Sequence, residues 1–341
     1  MQSFRKIIKN AVGDRTLAGL TVVVTDREKI IAAENFGVAS VEMPDVSVSE
    51  RSLYRVASIT KVVTGITLMK LVELGILDLD EPVKKTLPWL TFKDERASDA
   101  VTLRHLLSHT SGLEAEYTPE GARDESELEA SLKVGLPTAE IFSLPEENKY
   151  RYSNWGIRLA SLVAEVKTGE KYSALAQKYV LDPLSMTDST FDIRDAITRH
   201  ISLPHVLDEN GELTVVHHMK ENCARLAAGG LYSNAIDLAK LARMLLSDGK
   251  NDKGEEVISP ETACEMRKKH AIAGDNIYYG LTMRIDERGD AVMRGHLGSA
   301  PPYATSMFVS DELGIGVITL MNTEYKELRD EIPQAIFKSL M

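Results

Sequence analysis

The stretch Ser58-Ile59-Thr60-Lys61 stands at the mouth of an apolar run, Val62, Val63, Ile66, Leu68, Met69, Leu71, Val72 and Leu74. The run is apolar on nearly every side, the pattern of a helix buried inside a domain. Residues three apart share a helix face, so a helix opening near Ser58 stacks the Lys61 ammonium beside the Ser58 hydroxyl. A serine hydroxyl is a poor nucleophile until a neighbouring base takes its proton, and a lysine can be that base when burial lowers its pKa towards neutrality. Gly75 ends the run as a C-cap. The spacing by itself selects nothing, because Ser-x-x-Lys recurs as Ser3-Phe4-Arg5-Lys6 and Ser247-Asp248-Gly249-Lys250.

Before this helix, the β-branched runs Thr21–Thr25 and Ile30–Ala33, continuing to Ala39, flank a short charged loop and predict an antiparallel hairpin. After it, from Asp78 to about Leu203, the pattern is mainly helical and punctuated by proline, with helices over Leu103–Leu107, Glu125–Val134 and Trp155–Thr168. The acidic, loop-rich part between Glu114 and Glu147 reads as a solvated covering segment. A helix over Ala235–Leu246 precedes strands over Ala291–Arg294, Ala304–Val309 and Gly314–Met321, and a last helix runs from about Tyr325 to Leu340. Strands at both ends with helices between predict an α/β (α+β) fold: one antiparallel sheet built from residues 1–77 and 215–341, with a mainly helical domain, 78–214, inserted and the active site between them.

The 341 residues suffice for one large domain or two of roughly 100–200 residues. With 43% hydrophobic and 27% charged residues the composition is that of a soluble globular protein, and no apolar stretch reaches the ~18 residues of a membrane span. The net charge of -11 argues against a nucleic-acid partner and disfavours strongly anionic substrates, although a local pocket can override the global field. The N-terminus carries positive charge but no apolar signal core, so the expectation is a cytoplasmic protein, or an exported one whose leader has been removed. Cys223 and Cys264 give neither a disulfide framework nor metal-site spacing.

Two further segments could carry chemistry. Tyr152-Ser153-Asn154 precedes the helix at Trp155. A tyrosine hydroxyl can pass a proton to a leaving group, and an asparagine amide can hold a substrate carbonyl while bonding a lysine. The same letters recur as Tyr232-Ser233-Asn234, where Ser233 or Asn234 would cap the helix at Ala235. In Gly295-His296-Leu297-Gly298-Ser299, small residues let backbone approach a ligand, and an N–H there could help bind an oxyanion. His105 and His109 stand at i, i+4 without the glutamate of a zinc-protease helix, which favours structural roles, and His217-His218 reads as polar loop. No Gly-x-Ser-x-Gly elbow is present, against an α/β-hydrolase triad.

Together, Ser-x-x-Lys at Ser58, Tyr-x-Asn 94 residues later and His-x-Gly at His296 resemble the penicillin-recognising serine hydrolases. The chain is most similar to the class C beta-lactamase-related branch, which also holds family VIII carboxylesterases, D-stereospecific aminopeptidases and penicillin-binding-protein-like hydrolases. Leu106-Leu107-Ser108-His109-Thr110-Ser111-Gly112 resembles the branch's LLxHTSG segment. Gly229-Gly230-Leu231-Tyr232-Ser233 with Asp237-Leu238-Ala239 resembles its GGLxS…DLA segment, which assigns Tyr152, not Tyr232, as the motif tyrosine and Ser58 as the nucleophile.

The resemblance implies a beta-lactamase/transpeptidase-like fold and a cofactor-independent, metal-free serine hydrolase with Ser58, Lys61 and Tyr152 as catalytic residues. It further implies substrate or oxyanion contacts from Asn154, His296, Gly298 and Ser299, with His296 near Tyr152 and the leaving group, and an oxyanion hole from the N–H groups of Ser58 and Ser299. Either Lys61 or Tyr152 could be the base. The substrate would be a small ester, amide or lactam. A non-catalytic sensor or scaffold of the same fold, or a DD-peptidase, is the alternative. The chain departs from the branch in lacking the glycine of PGxxFxYSN before Tyr152, and in reading Ser299-Ala300-Pro301-Pro302 where a second glycine is usual. True beta-lactamases carry lysine at the His296 position, so efficient lactam hydrolysis is disfavoured, and small esters or D-amino-acid-type amides are expected.

Overall fold

In a computed structural model of the chain, which describes residues 4–114, 124–217 and 222–341, the apolar run is a helix with a tighter turn at its start. Helix α1 (Phe4–Val12) leads into the hairpin β1 (Gly19–Thr25) and β2 (Ile30–Gly37), and the run folds as α2 (Thr60–Glu73), preceded by a 3₁₀ turn over Ala57–Ile59. Helices α3 (Leu103–Leu107), α4 (Asn154–Thr168) and α5 (Ala235–Leu246) follow. Gly75 and Gly169, just past α2 and α4, take the left-handed conformation that commonly ends helices.

After α5 come β3 (Ala271–Gly274), β4 (Ile277–Tyr279), β5 (Arg284–Asp286), β6 (Met293–Ala300), β7 (Tyr303–Ser310) and β8 (Ile315–Met321), and α6 (Lys326–Ser339) closes the chain. The described residues form one eight-stranded antiparallel sheet in the order β2-β1-β8-β7-β6-β5-β4-β3. This pairing of the first strand with the last is what strands at both ends implied. The sequence reading missed β3 to β5. They are three or four residues long, one is bulged, and none alternates clearly, so a period-two pattern has nothing to register on. It also began the next strand too early, and the Gly295–Ser299 motif lies inside β6.

Both faces of the sheet are apolar. Leu20, Val22 and Val24 of β1 with Val317 and Met321 of β8 pack beneath α1 and α6. Val23, Met307, Ile318 and Leu320 face the other way, into a core shared with α2, α4 and α5. That larger core runs unbroken from the sheet into the helical body, and α2 is its axis: Val62, Val63, Ile66 and Leu68 have no exposed surface. Gly65 brings α2 against its neighbour, since a Cβ there would lie 1.9 Å from Thr282 Oγ1. No described helix is long and apolar enough to cross a membrane. Of the covering segment between Glu114 and Glu147, residues 115–123 lie outside the described residues, and the remainder holds a helix over Glu127–Gly135.

Candidate active site

Ser58 sits in the 3₁₀ turn, one residue after Ala57, whose φ of 50° is left-handed. A residue with a Cβ pays about 1–2 kcal/mol for that conformation, so the surroundings must hold it. Thr60 Oγ1 donates to Ala57 O at 2.6 Å and accepts from Leu231 N at 3.2 Å. Val56 N donates to Leu231 O at 3.0 Å, and Tyr54–Arg55 pairs with Tyr232–Ser233 as a short antiparallel ladder. The glycine-rich segment is therefore the brace behind the nucleophile.

Lys61, the second residue of α2 and one turn beyond Ser58, has no exposed surface. Its Nζ donates to Ser58 Oγ at 3.0 Å, Asn154 Oδ1 at 2.8 Å and Ala228 O at 2.6 Å, three acceptors for the three N–H bonds of an ammonium. Burying a lysine without such partners would be strongly unfavourable. Tyr152 Oη donates to Ser58 Oγ at 2.9 Å, and Lys61 Nζ lies 5.0 Å from the centre of its ring. Burial pushes the Tyr152 phenol well above its ordinary pKa, outweighing its bond to Ser58, so it is a neutral donor at pH 7. The structure thus brings Ser58, Lys61, Tyr152 and Asn154 onto one hydroxyl oxygen or its immediate partner.

The β6 residues divide. A Cβ on Gly298 would lie 2.0 Å from Thr305 Oγ1 and 2.5 Å from Val56 O, so glycine allows β6 to lie directly against the nucleophile turn. Arg329 Nη1 donates to Gly298 O at 3.2 Å from the opposite side. Gly298 acts by close approach and does not line the cavity, whereas Ser299, Ala300 and Pro301 do. Ala300 pairs with Tyr303, so Pro301-Pro302 is a two-residue hairpin turn, a place where the missing proline N–H breaks no ladder.

His296 differs from expectation. It is 5% exposed, its Nδ1 donates to Leu297 O at 2.5 Å, and its Nε2 accepts from Tyr279 Oη at 2.7 Å. Its ring centre is 6.1 Å from that of Tyr152, and it does not line the cavity. Burial, reinforced by the Lys61 charge, lowers its pKa to about 3, so it is neutral and supports the site from behind.

Two more residues complete this support: Tyr279, which was missed in sequence, and His109, whose structural role was expected but whose partners were not. Tyr279 holds His296 from β4, and 17 residues of separation gave no sign of it. His109 clamps the segment that carries the tyrosine: its O accepts from Arg151 N at 2.7 Å, its Nδ1 accepts from Ser153 N at 3.2 Å, and its ring lies 4.4 Å from that of Tyr152 between them. His109 has a φ of 60°, which turns it out of α3 and away from His105, whose Nδ1 instead accepts from Thr102 N as part of a helix cap. The i, i+4 pair is therefore split. Of the other histidine pair, His217 bonds Glu42, and His218 lies outside the described residues.

Ser58 opens into a cavity of about 300 Å³ whose walls include Arg55, Asn154, Asn222, Arg225, Gly229 and Pro301. That volume suits a small molecule.

A family model described as Beta-lactamase matches residues 4–340. Protein Rv1367c of Mycobacterium tuberculosis (strain ATCC 25618 / H37Rv) is 29% identical over 296 residues, covering 77% of this chain and 73% of that protein. The octameric penicillin-binding protein homologue from Pyrococcus abyssi is similar in structure, with a TM-score of 0.82 at 25% identity over 98% of this chain and 77% of that one. The D-amino acid amidase from Ochrobactrum anthropi SV3 gives a TM-score of 0.79 at 22% identity over 99% of this chain and 100% of that one, a likeness of fold.

Proposed function

Since the chain belongs to the beta-lactamase family, we propose that it is a serine hydrolase working through a Ser58 acyl-enzyme on small esters or amides. The observation that carries this reading is the convergence of Lys61 Nζ and Tyr152 Oη on Ser58 Oγ, at 3.0 and 2.9 Å, at the edge of the cavity. Ser58, Lys61 and Ser299 come from the sheet-bearing part, 1–77 and 215–341, and Tyr152 and Asn154 from the helical part, 78–214, so the site lies at their junction.

In this mechanism the Lys61 ammonium first releases one proton to solvent, and the resulting neutral amine takes the Ser58 proton as Ser58 Oγ attacks the carbonyl carbon. The raised pKa of Tyr152 suits a proton donor better than a resting phenolate base. The N–H groups of Ser58 and Ser299 hold the oxyanion, an arrangement in which one lost donor costs about 10²–10³ in rate. As the tetrahedral intermediate collapses, Tyr152 protonates the departing alcohol or amine and regains a proton from Lys61. Water then attacks the acyl-enzyme, activated by the same pair, and releases the acid. No step uses a metal or a cofactor.

The test is incubation with a fluorophosphonate or a penicillin followed by intact mass measurement. The expected result is an adduct on the wild-type chain that Ser58→Ala lacks. Folded protein that forms no adduct with either reagent overturns the enzyme reading. A stable adduct with no turnover of any ester, lactam or D-peptide would point instead to a sensor of the same fold.

A further inference from the structure

One buried donor beside the catalytic tyrosine has no hydrogen-bond partner. His109 has no exposed surface, and among the described residues its Nε2 lacks the bond that buried polar atoms usually hold. Its tautomer follows from its surroundings. Burial, reinforced by the Lys61 charge, holds its pKa well below the ordinary value, so the ring carries a single proton. Nδ1 accepts from Ser153 N, which places that proton on Nε2. The side chain therefore buries an N–H with no oxygen or nitrogen to receive it.

What surrounds this donor is aromatic. The His109 ring centre lies 4.4 Å from that of Tyr152, 4.7 Å from that of Tyr279 and 6.0 Å from that of Tyr150, tilted by 44° and 55° to the first two. The face of a phenol ring is negative and attracts N–H groups. Lys61 Nζ already stands 5.0 Å from the Tyr152 ring centre. His296, the other histidine beside Tyr152, directs its Nδ1–H to Leu297 O instead. The choice of residue at 109 is informative too. Its φ of 60° is a conformation that asparagine adopts more readily, and an asparagine oxygen could accept from Ser153 N. What imidazole adds is the ring between the tyrosines and the far N–H.

Building on the Ser58 acyl-enzyme reading, we infer that His109 is a positioning residue for proton donation by Tyr152: its Nε2–H, held towards the tyrosine rings by the Ser153 bond across the imidazole, stabilises the transient phenolate. That species arises when the Tyr152 O–H bond breaks and its proton passes to the leaving oxygen or nitrogen. It ends when Lys61 returns a proton. In the interval a negative charge spreads from the phenol oxygen into a buried ring, where a nearby N–H dipole counts for more than it would in water. His109 itself gives up no proton and touches no substrate, so it acts through Tyr152 alone.

Two phosphonates sharing one alkyl group, a p-nitrophenyl ester and a phenyl ester, test this by their labelling rates at Ser58, read as intact mass. The p-nitrophenolate leaves without a proton, whereas phenolate leaves better with one. The p-nitrophenyl-to-phenyl ratio therefore reports the help given by Tyr152, while a general loosening of the site slows both probes alike. In His109→Asn, which keeps an acceptor for Ser153 N, the ratio should rise by about threefold or more, the size of one weak contact to a charged ring. In His109→Gln, whose amide N–H can take the place of Nε2 while the Ser153 acceptor is lost, the ratio should stay near wild type although the melting temperature falls. Tyr152→Phe should raise the ratio by itself, and adding His109→Asn to it should change nothing further. An unchanged ratio in folded His109→Asn, an equal rise in His109→Gln, or a rise that persists in the Tyr152→Phe background overturns the inference and leaves the nucleophile assignment standing. Nitrogen NMR of histidine-labelled wild-type protein tests it without substitution: His109 should show a protonated Nε2 and a bare Nδ1, and the opposite tautomer overturns the inference. Failure of both esters to label Ser58 in folded wild-type protein removes the acyl-enzyme reading as well.

Discussion

Tyr152-Ser153-Asn154 and Tyr232-Ser233-Asn234 have the same three letters, and each leads into a helix. They differ by one residue in how the helix begins. In the first copy Ser153 is the N-cap, its hydroxyl accepting from Gly156 N at 3.3 Å, so Asn154 is the first helical residue and its Oδ1 accepts from Lys61. In the second copy Asn234 is itself the cap, accepting from Asp237 N at 2.8 Å, while its Nδ2 donates to Asp188. The tyrosines part accordingly: Tyr152 reaches Ser58, whereas Tyr232 is wholly buried opposite Arg55 in the brace. A one-residue shift in cap register decides whether an asparagine amide serves its own helix or the site.

The largest effect that tests this contrast comes from the tyrosines. Tyr152→Phe should slow fluorophosphonate labelling of Ser58 by about 10²–10⁴-fold, the usual range for a lost proton-transfer group. Tyr232→Phe should leave that rate unchanged within error. Equal losses from both would break the distinction. The asparagines come next. Asn154→Ala should lower the labelling rate by about 10–100-fold, the size of one hydrogen bond to a charged group, and should also lower the urea midpoint, because it takes an acceptor from the buried Lys61. Asn234→Ala should cost about 0.5–2 kcal/mol of stability as lost caps do while leaving the labelling rate near wild type.

A further contrast separates the copies by pH. The first copy leans on buried, neutral histidines: His109, whose pKa burial lowers well below its ordinary value, accepts from Ser153 N, and His296, lowered to about 3, stands behind Tyr152. Unfolded, such side chains bind a proton near pH 6.5. Below that pH the unfolded chain holds more protons than the folded one, so stability falls on acidification. Each histidine contributes at most ~1.4 kcal/mol per pH unit, and His296 does so down to about pH 3. Urea midpoints between pH 7.5 and 5 should therefore decline as pH is lowered, and less steeply in His296→Asn. An unaltered slope in that variant would show that His296 is already charged in the folded protein.

The helices and the outer strands were legible because their signals are local. The unbroken apolar run of α2, the glycines after α2 and α4, and the β-branched stretches of β1 and β8 follow from periodicity within a dozen residues. Ser58 and Lys61 were legible for the same reason, three apart at the mouth of one helix. Tyr279, His109 as a clamp, and the close approach of Gly298 were not, because each is defined by a partner on another element: Tyr279 by His296, His109 by the 151–153 backbone, Gly298 by Val56 O. His296 shows the limit from the other side, since its motif was visible but the direction of its ring was not.

Sequence alone determined which serine and lysine pair, that strands from the two ends join in one sheet, and the family resemblance, because each rests on local patterns and on motifs recurring in a fixed order along the chain. Tertiary structure decided how the two Tyr-Ser-Asn copies differ in cap register, that His296 lies behind the site, and that the cavity of an acidic protein is lined by two arginines. The physical reason is that burial, hydrogen-bond partnership and local field depend on distances in space, and residues 55, 58, 152, 225 and 299 meet only after the sheet and helices have packed.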